Sequence, residues 1–319
     1  MTIQPATPAS VAAAARYLAQ GGLVAFPTET VYGLGADATN GLAVAGIFSV
    51  KGRPTFNPLI VHLPTAELVW RYAVPTPLAE KLAAAFWPGP LTLVLDQQPG
   101  RAIEGLVTAG LSTIAVRVPA HPVAQALLRQ AGRPIAAPSA NRSGRISPTS
   151  AAHVAADLGN DVPIILDGGD TDVGLESTII DARGAVPILL RHGGISRSQI
   201  AAALGINPAN IAAAIDAGHA PNAPGQLASH YAPAAKLRLD VTDVRSGEAL
   251  LAFGTPLPHT GPMRNLSENG NLIEAAARLF SALRALDASG APAIAVMPIP
   301  QHGLGEAIND RLCRAAAPR

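Results

Sequence analysis

One cysteine, three lysines and twelve aromatic side chains are all that this 319-residue chain supplies of those types. A lone cysteine, Cys313, closes no internal disulfide and builds no cysteine-based zinc site. It is expected to be a small core residue of the last helix, far from any chemistry. Charge is scarce as well: 14% of residues are charged and the formal net charge is +1. That balance excludes an extended basic face that grips nucleic acid, and so few aromatics supply no stacking platform for bases. No apolar run reaches membrane-spanning length, since the nearest, 82–95, is broken by Pro88-Gly89-Pro90. The start, Met1-Thr2-Ile3-Gln4-Pro5, lacks the basic and apolar regions of a signal peptide. High apolar content with low net charge excludes disorder. A soluble, cytoplasmic, globular protein is expected. What abounds is Ala, 63 residues, and Arg, 20 of the 23 basic residues, a bias that reads as a GC-rich genome.

The first two hundred residues alternate short strands with helices. Thr7-Pro8 reads as an N-cap followed by a proline at the first helical position, with Gly21-Gly22 ending that helix. Strands are expected near 23–28, 58–63, 91–96, 113–118, 134–138, 162–167, 177–181 and 187–191. Helices are expected near 41–50, 65–73, 77–86 and 121–131, with another running from Ser147-Pro148-Thr149 to Leu158. This is the pattern of an α/β or α+β domain around one large sheet. Ile114-Ala115-Val116, apolar on both faces, belongs at its centre. Residues 205–235 hold Pro208, Pro221, Pro224 and Pro233 and few large apolar groups, so they read as a linker or long loop. Beyond lie strands near 236–241, 249–253 and 293–297, a helix marked by Leu272, Ala276, Leu279, Leu283 and Leu286, and a closing helix from about 304. The expected units are therefore 1–204, a linker at 205–235, and a small α/β unit at 236–319.

Four polar clusters stand out. In the first, Thr28, Glu29, Thr30 and Tyr32 precede Gly33-Leu34-Gly35-Ala36-Asp37-Ala38, a loose match to a dinucleotide fingerprint. No acidic residue ends a second strand some twenty residues on, so a turn with incidental glycines is favoured over a nicotinamide-binding site. In the second, Lys51 and Arg53 offer a point charge and a fork suited to a polyphosphate. A solvated pair capping the preceding helix is an equal reading. The third joins Thr113 and Arg117 on a strand with Pro138-Ser139-Ala140-Asn141 and Ser147. An arginine in an apolar strand is costly unless paired, so Arg117 is expected to face an anion or carboxylate in preference to an internal salt bridge. The fourth runs from Asp167-Gly168-Gly169 to Glu176-Ser177-Thr178, with Arg191 after it. Its carboxylates place Leu175 where a calcium loop needs glycine. The eight histidines show no zinc-ligand spacing, and neither a nucleophile elbow nor a Walker A sequence occurs. Chemistry must therefore come from bound substrates oriented by polar side chains.

Taken together the clusters resemble the YrdC-like family of threonylcarbamoyl-AMP synthases in its long, two-domain form. The resemblance rests on Pro27-Thr28-Glu29-Thr30-Val31-Tyr32-Gly33-Leu34, Lys51-Gly52-Arg53-Pro54 with Asn57-Pro58-Leu59, Trp87-Pro88-Gly89-Pro90-Leu91-Thr92, Ala115-Val116-Arg117-Val118-Pro119, Ala137-Pro138-Ser139-Ala140-Asn141 and Glu176-Ser177-Thr178. A seventh block, Pro224 to Pro233, marks the long form, although Gln226 stands where many members have Met and Leu227-Ala228-Ser229 lacks a basic residue. The resemblance implies a large twisted mixed sheet with flanking helices and a small Rossmann-like C-terminal domain. It implies an enzyme joining L-threonine, bicarbonate and ATP, with Mg²⁺ carried by the phosphates and no organic cofactor. The product would pass to a separate tRNA threonylcarbamoyl transferase, with little direct tRNA binding and no membrane contact. Lys51, Arg53, Ser139 and Asn141 would form the nucleotide-handling core. Arg53, Asn57, Thr113, Ser139, Ser147, Arg191 and Tyr231 would line the ATP site, Tyr231 folding over the nucleotide. Thr30, His62, Arg117, the backbone at Ala137, and Ser177 would hold threonine, with Tyr32 and Lys51 as possible additions. Two alternatives are a non-catalytic RNA-binding module of tRNA modification and a carbamoyl-adenylating relative.

Overall fold

The computed structural model describes residues 2–100, 102–213 and 229–318. The readings made for Pro221, Pro224, Gln226, Leu227 and Ala228 lie outside these residues. The strands are β1 (Thr2–Pro5), β2 (Val24–Phe26), β3 (Gly33–Asp37), β4 (Ile60–His62), β5 (Leu91–Asp96), β6 (Thr113–Arg117), β7 (Ile135–Ala136), β8 (Ile164–Asp167), β9 (Thr178–Asp181), β10 (Ile188–Arg191) and β11 (Ala212–Ala213) in a first sheet. A second contains β12 (Lys236–Arg238), β13 (Ala249–Ala252), β14 (Met263–Asn265) and β15 (Ala293–Val296). The helices are α1 (Pro8–Ala19), α2 (Gly41–Lys51), α3 (Ala66–Val69), α4 (Pro77–Phe86), α5 (Gly105–Thr108), α6 (Pro122–Ala131), α7 (Ala151–Leu158), α8 (Arg197–Leu204), α9 (Leu272–Asp287) and α10 (Leu304–Ala316).

The first sheet has eleven strands in the order β1-β8-β2-β3-β7-β4-β6-β5-β9-β10-β11 and mixes parallel with antiparallel pairs. β6, with Ile114, Ala115 and Val116, is central, as its apolar character requires. Local chemistry sets the helix ends. Thr7 and Ser10 close a capping box at α1, Asn40 accepts from Leu42 N and Ala43 N at α2, and prolines open α1, α4 and α6. The main core joins the helices to the sheet through Leu34, Ile47, Val61, Leu82, Leu93 and Val116.

The second sheet is all parallel, β12-β15-β13-β14, with α9 and α10 completing an α/β unit. Leu279, Leu283 and Leu286 bury the inner stripe of α9, each contributing about 1.5–3 kcal/mol. Val31, Ile146, Leu175 and Tyr231 belong to the same cluster, so the small unit completes its core with side chains from outside its own sheet.

Three sequence expectations change. Gly33-Leu34-Gly35-Ala36-Asp37 is neither a turn nor a dinucleotide loop but a buried strand, paired with β2 and β7. Gly35 is required by packing, since a Cβ there would lie 2.8 Å from the Phe26 ring and 3.0 Å from Ile135. The segment after Gly205 starts inside the first unit: Ile206 and Ile211 pack on its core, and β11 pairs with β10. Cys313 is exposed on α10 and is not a core residue. The helical face that buries Arg311, Leu312 and Ala315 leaves it outside.

Candidate active site

Sheet register builds the floor of the site. His62 on β4 lies opposite Arg117 on β6, Arg117 opposite Thr92 on β5, Thr92 opposite Ile179 on β9, and Ile179 opposite Arg191 on β10. Directly opposed residues share a face, so residues distant in sequence form one row. Next to it, a buried apolar patch of Ile60, Val94, Ala115 and Ile179 lies on the sheet. A cleft with roughly 570 Å³ of empty space, part of it open to solvent, sits above. Thr28, Thr30, Arg53, His62, Arg117, Ala137, Ser139, Glu176, Ser177, Arg191, His230 and Tyr231 are among its lining residues.

Arg117 is buried and fully engaged at its base. Its Nη2 pairs with Glu29 Oε1 at 2.7 Å, Nη1 donates to Thr30 Oγ1 at 2.9 Å, and Nε donates to Gly89 O at 3.3 Å. The internal salt bridge that the sequence ranked second is therefore present, because Glu29 comes from a loop after β2 that only the fold brings near. Proton directions in the adjoining hydroxyls follow from counting. Thr28 Oγ1 donates to Val31 O at 2.7 Å, so in its 2.8 Å contact with Thr30 it accepts. Thr30 thus spends its proton on Thr28 and a lone pair on Arg117. His62 Nδ1 is 3.1 Å from Ile60 O, so Nδ1 carries the proton and donates. Burial, aided by Arg117, pushes the imidazole down to about 3. His62 is accordingly neutral.

The other side of the cleft is more basic. Arg53 is half-buried and donates to Asn57 O at 3.2 Å and Pro58 O at 2.9 Å. Burial, with Arg191 nearby, lowers its guanidinium to about 10. Arg191 donates to Ser177 O at 2.8 Å and Ser177 Oγ at 3.1 Å, and Ser177 Oγ is also 2.7 Å from Thr92 Oγ1. Gly193 permits the close approach beside this segment: a Cβ would lie 2.4 Å from Glu176 O and Thr178 N. Glu176 accepts from Ser147 Oγ at 2.5 Å and from Arg311 Nε at 2.8 Å. Burial alone would raise its carboxyl, but Arg311, Arg191 and Ser147 together hold it below the ordinary range. Tyr231 is fully buried, with Phe280 stacked at 5.6 Å and the Arg311 guanidinium 5.1 Å from its ring.

Six expected residues, Lys51, Asn57, Thr113, Asn141, Ser147 and Tyr32, stand apart from the lining. Lys51 is buried, and its Nζ donates to Ser139 O at 2.6 Å and Asn141 O at 2.5 Å. Burial, then Arg53, lowers its ammonium well below the ordinary lysine value. It is thus neither a solvated cap nor a phosphate-facing charge; it ties α2 to the 139–141 loop. Asn141 braces that loop through Arg142 O and Arg145 O. Thr113 shares the strand face of Arg117 four residues earlier, about 13 Å away along the strand. Tyr32 donates to Gly169 O at 2.7 Å beneath the loop after β8. Asn57 is buried, and its side-chain amide has no hydrogen-bond partner among the described residues. Arg311 and His230 were not found from sequence. Arg311 lies in an ordinary amphipathic helix with no motif around it, and His230 was read only as part of the family block.

Residues 16–193 match the Sua5/YciO/YrdC family model described as "Telomere recombination". Residues 195–317 match "Threonylcarbamoyl-AMP synthase, C-terminal domain". The threonylcarbamoyl-AMP synthase of Bacillus subtilis is 41% identical over 97% of this chain and 93% of its own length. The chain belongs to the threonylcarbamoyl-AMP synthase family. A synthase of Pyrococcus abyssi is 42% identical over 96% of this chain and 94% of its own. The crystal structure of P. abyssi Sua5 complexed with L-threonine superposes with a TM-score of 0.88 at 39% identity, covering 97% of this chain and 95% of that one. The enzyme is therefore a nucleotidyl-transferring synthase, and its mixed sheet with a smaller C-terminal unit is the architecture of that relative. Among the described residues no helix is long and apolar enough to cross a membrane.

Proposed function

We propose that this cleft condenses L-threonine, bicarbonate and MgATP into threonylcarbamoyl-AMP with release of pyrophosphate. The observation that carries the assignment of ends is the His62–Arg117–Thr92–Ile179–Arg191 row. Arg117 donates Nε and one Nη1 proton to protein acceptors and holds Glu29 through Nη2 as an ion pair, and a guanidinium has five N–H groups. Its remaining protons suit the threonine carboxylate. Neutral His62 lies beside it, and Thr30, Ala137 and Ser177 complete the amino-acid end. At the other end Arg53, Arg191, Ser139 and Tyr231 surround the nucleotide, Lys51 positioning Ser139 through its carbonyl.

The chemistry needs no covalent protein intermediate. The threonine amine, once neutral, bonds to the carbon of bicarbonate; the C–OH bond breaks and the hydroxide leaves as water with one amine proton, giving a carbamate. A carbamate oxygen forms a bond to the α-phosphorus while the α–β bridging bond breaks and pyrophosphate leaves. Positioning and charge neutralisation supply most of the acceleration. The cleft's carboxylate, Glu176, is already engaged by Arg311 and Ser147, so Mg²⁺ enters as part of MgATP and rides on the phosphates. Tyr231 shields the mixed anhydride from water. Reaction in the cytoplasm would hand the product to a separate transferase acting on tRNA. Incubation with ATP, labelled bicarbonate and threonine tests the reading: pyrophosphate release should require threonine, and release without it would overturn the assignment.

A further inference from the structure

We propose that Arg311, from the C-terminal unit, is a positioning residue for the nucleotide end of the cleft: by neutralising Glu176 it makes that end able to accept a polyphosphate. Glu176 lines the cleft and is 6% exposed. Ser147, Arg191 and Tyr231 surround it, all on the side assigned to ATP. A buried carboxylate there, left unpaired, would repel the incoming phosphates in a poorly screened environment.

The neutralising group comes from far along the chain. Arg311 is 0% exposed and stands 135 residues after its partner. Nε donates to Glu176 Oε2 at 2.8 Å, Nη2 donates to His192 O at 2.7 Å, and Nη1 pairs with Asp310 at 2.5 Å. Two further contacts fix α10 in place. Glu306 faces His192 Nδ1 at 3.3 Å, and Arg314 O accepts from His230 N at 3.2 Å. From α9, Arg284 pairs with Asp157 at 2.6 Å and also donates to the backbone of Ile146 and Ser147. The C-terminal unit therefore converges twice on one spot, through the Ser147 backbone and through the carboxylate that the Ser147 hydroxyl engages. That convergence gives the unit a part in substrate binding beyond tethering.

The inference rests on the reading that this end takes ATP, which threonine-dependent pyrophosphate release by the unaltered protein tests separately. Affinities for MgATP and for L-threonine are measured by calorimetry on the full chain. Arg311→Met should weaken MgATP binding by about tenfold or more and leave threonine binding within about twofold. Adding Glu176→Gln to Arg311→Met, which removes the stranded charge, should bring MgATP affinity back to within about threefold of the unaltered protein. Equal losses for both ligands, no loss of MgATP affinity, or no recovery in the double variant would each overturn the proposal. If Arg311→Met alone fails to fold, the folded double variant decides: MgATP binding more than about tenfold weaker than in the unaltered protein refutes the role.

Discussion

His62 and Arg117 are opposed neighbours on parallel strands, a neutral imidazole beside a buried guanidinium that is itself paired with Glu29. One positive charge thus stands beside one neutral imidazole in a row fixed by backbone pairing. Helix α2 and the 139–141 loop lie on the other side, joined by Lys51.

Arg117→Ala should raise the threonine requirement far more than the ATP requirement, because a charge-assisted pair of about 1.5–3 kcal/mol is lost at one end only. It should also cost about 3 kcal/mol of stability by stranding Glu29, which is 7% exposed. Steady-state kinetics with each substrate varied, and urea unfolding, check the two parts. Equal rises in both requirements would contradict the assignment of ends.

Acid should weaken the fold in a defined window. His62 and His230 are both buried and lowered to about 3 against an ordinary 6.5. The unfolded chain therefore gains protons first as pH falls through 6.5, and stability declines continuously towards pH 3. Above pH 6.5 their contribution is complete. At pH 5 each costs about 2 kcal/mol. Unfolding free energies measured between pH 7.5 and 5 should fall, and Asn at both positions should flatten the slope.

Tyr231→Ala should weaken ATP affinity and lower product yield through faster hydrolysis of the mixed anhydride. It should also cost about 3–5 kcal/mol of stability, since the ring is 1% exposed and stacks on Phe280. Affinity, yield and thermal unfolding provide the readouts. Unchanged affinity and yield would remove the shielding role.

Two glycine substitutions should separate packing from chemistry. Gly35→Ala meets Phe26 and Ile135 inside the core and should cost about 1–3 kcal/mol while leaving activity of the folded fraction intact. Gly193→Ala meets the backbone of Glu176 to Thr178, so it should reduce both stability and turnover. Turnover per folded molecule distinguishes them.

The element order was legible in the sequence wherever signals are local. Thr7-Pro8 announces a helix start through its own hydrogen bonds, and the apolar run of β6 places it centrally, whereas the helix read from Ser147 starts only at Ala151, where the Ser150 side chain caps it. β1 escaped because a four-residue edge strand paired only with β8 carries little pattern. β3 was misread because its glycines answer to Phe26 and Ile135, which are neighbours only after folding.

The sequence by itself determined the family and the α/β character, because those depend on residue types at fixed short spacings. Tertiary structure decided what each side chain faces. It paired Arg117 with Glu29, turned Lys51 onto Ser139 and Asn141, exposed Cys313, and brought Arg311 to Glu176. These are contacts across tens to more than a hundred residues. They are set by strand register and by the packing of one unit on the other, which no local spacing encodes.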